Sequence, residues 1–375
     1  MSPYAHIAGW GMYAPARVLS NQDLEHMVDT TDEWIRSRTG IVERRIAGEK
    51  ESTATMAVEA ARRALARAHL SPRQLDAIIV ATISPDHLTP ATACLVQAAL
   101  GADKAAAFDV SAGCSGFIYA LSLAQMGITA GEWHSVLIIG AETLSRFVNW
   151  EDRNTCVLFG DGAGALVLTA SDQPGGVLAC VLGADGSGAD LLVIPAGGSR
   201  MPASPATLEQ HAHTIHMDGR AVFRFATHIL PEAVEQVMRK AGLPLTAIDM
   251  VIPHQANMRI IEAARKKLRL PEEAFFINLY RYGNTSAASI PIALCEVADH
   301  GLINDGSLVV LVGFGAGLTW GAAAVRWGVA LPQPARPWWQ RALYIARLAF
   351  GRLPAFLRRL LYRLWQALPS RRDEE

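Results

Sequence analysis

Charge is scarce in this chain: 18% of its 375 residues are Asp, Glu, Lys or Arg, and the formal net charge is -1. That balance argues against a nucleic-acid protein with a basic face and against a disordered, charge-rich chain. Cysteine is sparse as well. Cys94, Cys114, Cys156, Cys180 and Cys295 are scattered with no C-x-x-C spacing. No disulfide framework is implied, and the chain reads as cytosolic, from a reducing compartment. No uninterrupted apolar run reaches the roughly 20 residues that span a bilayer. Residues 1–10 also lack the charged start and apolar stretch of an export signal. The glycine-rich runs at 160–164 and 313–317 have neither dinucleotide nor P-loop spacing, so both are expected to permit tight turns around a site.

Hydrophobic residues are plentiful at 51%, enough to bury extensive surface in two core-sized units. The strongest clue to organisation is an internal repeat. A helical pattern at 58–68 precedes an apolar run at 75–84, a second run at 107–110, Cys114, and a third run at 135–140. The order returns as a helix at 232–241, runs at 248–254 and 275–278, Asn284, and a closing run at 308–317. His254 then stands in the place of the Ser84 region and Asn284 in that of Cys114. Short β-branched runs alternating with helices predict an α/β fold of mixed, mostly parallel, buried sheets sandwiching helices. The expected divisions are residues 1–172, carrying the cysteine; 173–329, carrying the histidine and asparagine; and 330–375, a linker and tail. Strand-end loops of the two halves would meet at one central site.

Cys114 lies in the run DVSAGCSGFIYAL at 109–121, where an apolar strand gives way to small residues and a helix begins directly after the thiol. The first helical turn offers unpaired N–H groups and a partial positive charge, which favours a thiolate. The other four cysteines are expected to be small core hydrophobes. The runs PHQAN at 253–257 and GNTSAAS at 283–289 add an imidazole and an amide in similar settings.

With DEWIRSRTGI at 32–41, FGDGAG at 159–164 and GFGAG at 313–317, these motifs occur in an order that resembles the 3-oxoacyl-(acyl-carrier-protein) synthase III family, within the thiolase fold. The resemblance runs from about residue 4 to about residue 327. It implies a homodimer that condenses an acyl-CoA with malonyl-acyl-carrier protein through a Cys114 acyl-enzyme, with no metal or redox cofactor and coenzyme A thioester as substrate. Neutral His254 and Asn284 can donate hydrogen bonds to the enolate that forms as malonyl loses carbon dioxide. The resemblance places the oxyanion hole at the N–H groups of Cys114 and Ala316. It places coenzyme A against Trp34, Arg38, Arg153 and Asn257, and the carrier protein against Arg224, Arg259, Lys266 and Lys267. It assigns Thr89 and Phe314 to the acyl pocket.

Two rivals remain at this point: a related condensing enzyme of a specialised lipid or polyketide pathway, and a non-catalytic, membrane-associated scaffold of the same fold. Thiolase itself is disfavoured because 313–321 lacks its second cysteine, and elongating synthases because they carry a histidine where Asn284 stands.

Thr89 stands where short-chain relatives carry a bulky aromatic that reaches across the dimer interface, which predicts primers longer than acetyl, or branched ones. Beyond Pro332, Pro334 and Pro337, residues 336–372 are rich in Arg, Leu and Trp and contain no Asp or Glu. Residues 355–368 read as a basic amphipathic helix. Packing on the enzyme body, lying on an anionic membrane surface and docking a partner are three readings of it.

Overall fold

The computed structural model describes residues 4–328. The tail at 330–375 and its expected helix lie outside the described residues. Two sheets form the frame. The first uses β1 (Tyr4–Tyr13), β2 (Ala77–Ala81), β3 (Ala106–Val110), β4 (Ser135–Thr143) and β5 (Asp161–Ser171) in the order β1-β5-β4-β2-β3. The second uses β6 (Gly176–Ala184), β7 (Met250–Pro253), β8 (Leu308–Gly315) and β9 (Thr319–Arg326) in the order β7-β8-β9-β6. The helices that matter for the site are α1 (Asp32–Thr39), α2 (Thr53–Ala68), α3 (Thr92–Leu100), α4 (Gly116–Thr129), α5 (Gly219–Ala241), α6 (Met258–Leu268) and α7 (Ser289–Asp299).

The repeat at the level of sequence is a repeat of topology. In one half β2 runs parallel to β4, β4 antiparallel to β5 and β5 antiparallel to β1; in the other β7, β8, β9 and β6 repeat these relations. The β3 position of the second half is reduced to an isolated bridge between Val251 and Phe275. The sheets are therefore mixed, which corrects the expectation of mostly parallel strands. Three pairs are parallel, β2/β3, β2/β4 and β7/β8, and four are antiparallel. The antiparallel share comes from β5 and β9, which return directly beside β4 and β8, as the short link from Gly315 to Thr319 shows.

Helices α4 and α7 pack between the two sheets, α2 covers the outer face of the first and α5 that of the second. The result is a five-layer α/β sandwich. The sequence of α4, GFIYALSLAQMGIT, is apolar almost all round, as a helix enclosed by two sheets must be. All nine residues of β4 are buried, which is why it reads as a continuous apolar run rather than an alternating one.

Shared aspartates fix the equivalence of the halves. Asp76 accepts from Ser135 N–H at the foot of β4, and Asp249 accepts from Leu308 N–H at the foot of β8. Counting from these, His254 matches Ala81 rather than Ser84. The helices likewise align Cys114 with Ala287 and Asn284 with Ser111, a shift of three residues from the expected correspondence. Gly162 and Gly164, expected in a turn, lie inside β5; a Cβ on Gly164 would sit 2.7 Å from Ile292 N, so its role is close packing against α7.

Candidate active site

Cys114 sits in the 3-10 turn Gly113–Ser115 that leads into α4. That turn packs against the end of β8 and against the turn Ser286–Ala288 that leads into α7. Contact is at backbone distance: a Cβ on Gly315 would lie 2.4 Å from Cys114 N, and one on Gly113 2.7 Å from Ala316 N. Only glycine admits this approach, and it brings the Cys114 and Ala316 segments side by side.

The thiol is 6% exposed, and burial pushes it up to about 12; Ser286 pulls against this, Glu142 pushes the same way as burial, and the amide of Cys114 itself pulls back. The expectation of a resting thiolate is thus reversed. A helix start supplies a local field, but desolvation of the charged form outweighs it. Burial thus favours the neutral thiol at Cys114.

His254 follows β7 directly and is anchored by its N–H to Val312 O at 2.7 Å. Its ring is 1% exposed, meets Ser289 Oγ at 2.6 Å through Nδ1, and stands edge-on to Phe314 with ring centroids 5.4 Å apart. Burial holds its pKa down to about 3, so the imidazole is neutral at physiological pH. Asn284 is held by its N–H to Leu158 O at 2.8 Å, and its O accepts from Gly160 N–H at 3.0 Å. Its Oδ1 accepts from Ser286 N–H at 2.8 Å, which fixes the amide orientation and directs Nδ2 to the other side. Each residue can therefore present a neutral N–H donor.

A cavity of about 420 Å³ opens at the thiol. Ile83, Leu144, Phe159, Leu192, Ile194 and Ile215 give it apolar walls, and Cys114, Ser286 and Ala316 lie on its lining. The sequence reading did not identify these wall residues, which come from loops far apart in the chain. Phe314, His254 and Asn284 are not on the cavity lining; Phe314 packs edge-on against His254. Thr89 is exposed and likewise off the lining of this chain's own cavity.

Trp34, Arg38, Arg153 and Asn257 form one cluster. The guanidinium of Arg153 is 4.7 Å and that of Arg38 5.8 Å from the Trp34 ring centroid. Arg153 also donates to Asp29 O at 2.8 Å. Asn257 caps α6 by accepting from Arg259 N–H at 2.9 Å and donates to Arg38 O at 3.0 Å, so it ties α6 to α1. Arg224 on α5 and Arg259, Lys266 and Lys267 on α6 are all exposed, and the two helices pack together.

Among the other cysteines, Cys156, Cys180 and Cys295 are buried as expected, but Cys94 is exposed. It lies on the outward side of α3, whose buried side is Thr92, Ala93 and Val96. The sequence reading also missed Glu142, a fully buried carboxyl at the end of β4, which burial pushes up to about 7.

Residues 108–186 match the family model for 3-oxoacyl-[acyl-carrier-protein] synthase III, and residues 238–327 match the model for its C-terminal part. The chain is 56% identical to the beta-ketoacyl-[acyl-carrier-protein] synthase III of Caldanaerobacter subterraneus over 323 residues, which is 86% of this chain and 98% of that protein. It is 57% identical over 322 residues to that of Symbiobacterium thermophilum, again 86% of this chain and 98% of the relative. The crystal structure of 3-oxoacyl-[acyl-carrier-protein] synthase III from Aquifex aeolicus matches with a TM-score of 0.80 at 50% identity, covering 86% of this chain and all of that one.

Proposed function

The chain belongs to the beta-ketoacyl-[acyl-carrier-protein] synthase III family, and from that premise we propose how its own residues divide the work. The reaction condenses an acyl-CoA with malonyl-acyl-carrier protein, releases coenzyme A and carbon dioxide, and starts fatty-acid synthesis. Cys114 attacks the acyl thioester, with the N–H groups of Cys114 and Ala316 receiving the oxyanion. The acyl chain then lies along the apolar walls of the 420 Å³ cavity. His254 Nε2–H and Asn284 Nδ2–H donate to the malonyl thioester oxygen, so that negative charge can build there as carbon dioxide leaves. Neutrality matters here. A donor that neither gives up nor takes a proton stabilises the enolate without quenching it, and burial keeps His254 in that state.

The observation that carries this reading is the enclosure of Cys114 between the Ala316 segment and the Ser286 turn, at the mouth of an apolar cavity. Intact-protein mass spectrometry after mixing with a panel of acyl-CoAs tests it, with Cys114→Ala as control. A gain of one acyl group that the control lacks is expected. No adduct with any primer would refute the assignment. The same panel ranks primers, and a Thr89→Phe variant that turned over longer primers as well as the parent would remove Thr89 from the acyl pocket.

Coenzyme A approaches past Trp34, with its adenine on the indole and its phosphates against Arg38 and Arg153. The carrier protein docks on the basic face of α5 and α6. Charge reversal at Lys266 and Lys267 slows condensation in a salt-dependent way and leaves acylation alone; equal slowing of both steps would move the docking site elsewhere. Residues 1–172 and 173–329 act as two halves that supply the nucleophile and the donor pair.

The functional unit is a homodimer joined along β3. This strand is at the sheet edge with Ala106 exposed and its other residues half-buried, and the exposed Cys94 reaches Ala107 O on it at 3.7 Å. Sedimentation of Phe108→Asp should give monomer; an unchanged dimer would place the interface elsewhere.

Residues 330–375 lie beyond the end of the family match at residue 327. On composition they contact an anionic lipid surface. Flotation of the full chain with anionic vesicles, compared with a chain ending at Gly328, tests this; equal behaviour would remove it. Among the described residues no helix is long and apolar enough to cross a membrane.

A further inference from the structure

Acylation must dispose of the Cys114 thiol proton, and condensation regenerates a thiolate that needs one back. Neither His254 nor Asn284 can serve as the store if both remain neutral donors to the enolate. A buried carboxyl stands close by.

Glu142, at the penultimate position of β4, has no exposed surface. Its Oε2 accepts from Thr82 Oγ1 at 3.1 Å, Ile83 N–H at 3.1 Å, Ser84 N–H at 3.1 Å and Ser84 Oγ at 2.5 Å. Its Oε1 is far less engaged, with Ile83 N–H at 3.3 Å and Ala287 N–H at 3.5 Å. Four short contacts on one oxygen and two long ones on the other leave Oε1 as the reactive side, turned toward the Ser286–Ala288 turn.

Ser286 adjoins both groups: its neighbour Ala287 donates to Glu142 Oε1 at 3.5 Å, and Ser286 borders the cavity that Cys114 lines. Its Oγ is buried without a completed hydrogen bond, so its hydroxyl is free to take a new partner, and its presence favours the charged forms of both Cys114 and Glu142. Its φ of 47° is in the left-handed region, and its N–H is bound by Asn284 Oδ1, so the turn holds the hydroxyl in place. The titratable group facing Glu142 is Cys114. The other groups packed on it, from Thr82, Ile83, Ser84, Ser286 and Ala287, carry no charge, and His254 is neutral.

We propose that Glu142, acting through the Ser286 hydroxyl, takes the Cys114 proton during acylation, holds it in the acyl-enzyme, and returns it when condensation releases the thiolate. This rests on Cys114 being the nucleophile. In acylation the Sγ proton passes to Ser286 Oγ as the hydroxyl proton passes to Glu142 Oε1. The Sγ–acyl bond forms, the acyl–coenzyme A bond breaks, and the coenzyme A thiolate takes a proton from water. In condensation the malonyl carboxylate leaves as carbon dioxide, and its electron pair becomes the enolate, which attacks the acyl carbon. The acyl–Sγ bond breaks, and Sγ recovers its proton from Glu142 through Ser286. One solvent proton is consumed per turnover and departs on coenzyme A, so no further reactant is needed. A protonated Glu142 also removes a negative charge from beside the pocket at the stage when the enolate develops.

The test is single-turnover acylation of the full chain by butyryl-CoA, followed by rapid quench and intact mass between about pH 5.5 and pH 9, for wild type, Glu142→Gln and Ser286→Ala. Wild-type acylation should rise with pH and level off above an ionisation near neutrality. Both variants should acylate about 100-fold more slowly at pH 8 and lose that break. Ser286→Ala leaves the bonds from Glu142 to Thr82, Ile83 and Ser84 in place, so it remains decisive if Glu142→Gln fails to fold. A Ser286→Ala enzyme within about threefold of wild type that keeps the break, or a wild type without one, would overturn the relay. Absence of any adduct on wild type would overturn the nucleophile assignment and the relay with it.

Discussion

Ser289→Ala is the sharpest probe of the donor pair. Ser289 Oγ is 2.6 Å from His254 Nδ1, and the two residues are 2% and 1% exposed. For His254 to donate from Nε2 in its neutral form, Nδ1 must accept, so the serine hydroxyl is the donor and selects the tautomer. Alanine leaves Nδ1 buried without its partner. The stability cost is about 1–3 kcal/mol, the usual penalty for an orphaned buried polar group. The catalytic cost follows from the same loss, because the ring can now carry its proton on Nδ1 and turn a lone pair toward the enolate. Removing an oxyanion donor outright costs about 100- to 1000-fold; a donor present in only part of the population should cost about 10- to 100-fold. The loss should fall on condensation alone. Acyl-enzyme formation from acyl-CoA, read by mass, should stay within about twofold of wild type, because His254 has no part in that step. Decarboxylation of malonyl-acyl-carrier protein by the pre-acylated enzyme, read as carbon dioxide release, should carry the deficit. Equal slowing of both steps, or no slowing of the second, would refute the tautomer argument.

Gly315→Ala puts a methyl group 2.4 Å from Cys114 N, so it should cost about 1–3 kcal/mol in urea unfolding and abolish acylation; an active variant would show that the nucleophile turn can shift. His254 is held neutral with its pKa near 3, well below the ordinary 6.5. Its contribution to stability is therefore full above pH 6.5 and is lost as pH falls toward 3, about 3 kcal/mol by pH 4. The drop in unfolding free energy from pH 7 to pH 4 should be smaller by about that amount in His254→Gln, and an identical drop would mean that the ring is not buried neutral. Trp34→Ala should raise the KM for acyl-CoA about tenfold through lost stacking and leave the acyl-enzyme's reaction with malonyl-acyl-carrier protein unchanged; a fall in both steps would make Trp34 a packing residue.

Cys114 and His254 stood out as candidates in sequence because each follows an apolar run and comes shortly before a helix, and Asn284 because it comes shortly before one. What local pattern could not supply was environment. The helix-start rule predicts an acidic thiol at Cys114, but the burial that opposes it comes from β8 and the Ser286 turn, segments far away in the chain. Glu142 escaped for the same reason. It ends the run SVLIIGAET and resembles a polar residue at a strand terminus, while its partners Ser84 and Ala287 lie 58 and 145 positions away.

The repeat explains why that position matters. Counting seven residues from Ser135 and from Leu308, the matched feet of β4 and β8, Glu142 and Gly315 are the same place in the two halves. Each strand end presses on the turn at the start of the opposite half's central helix: Gly315 meets Cys114, and Glu142 meets Ala287. Where the opposing turn carries Cys114, the position has no side chain, so that the Cys114 and Ala316 segments can meet at backbone distance. Where the opposing turn carries Ser286, it has an acid. A duplicated frame thus brings two equivalent contacts to one centre, and in the proposed reaction unlike residues at one matched position give one half the oxyanion site and the other a store for the proton.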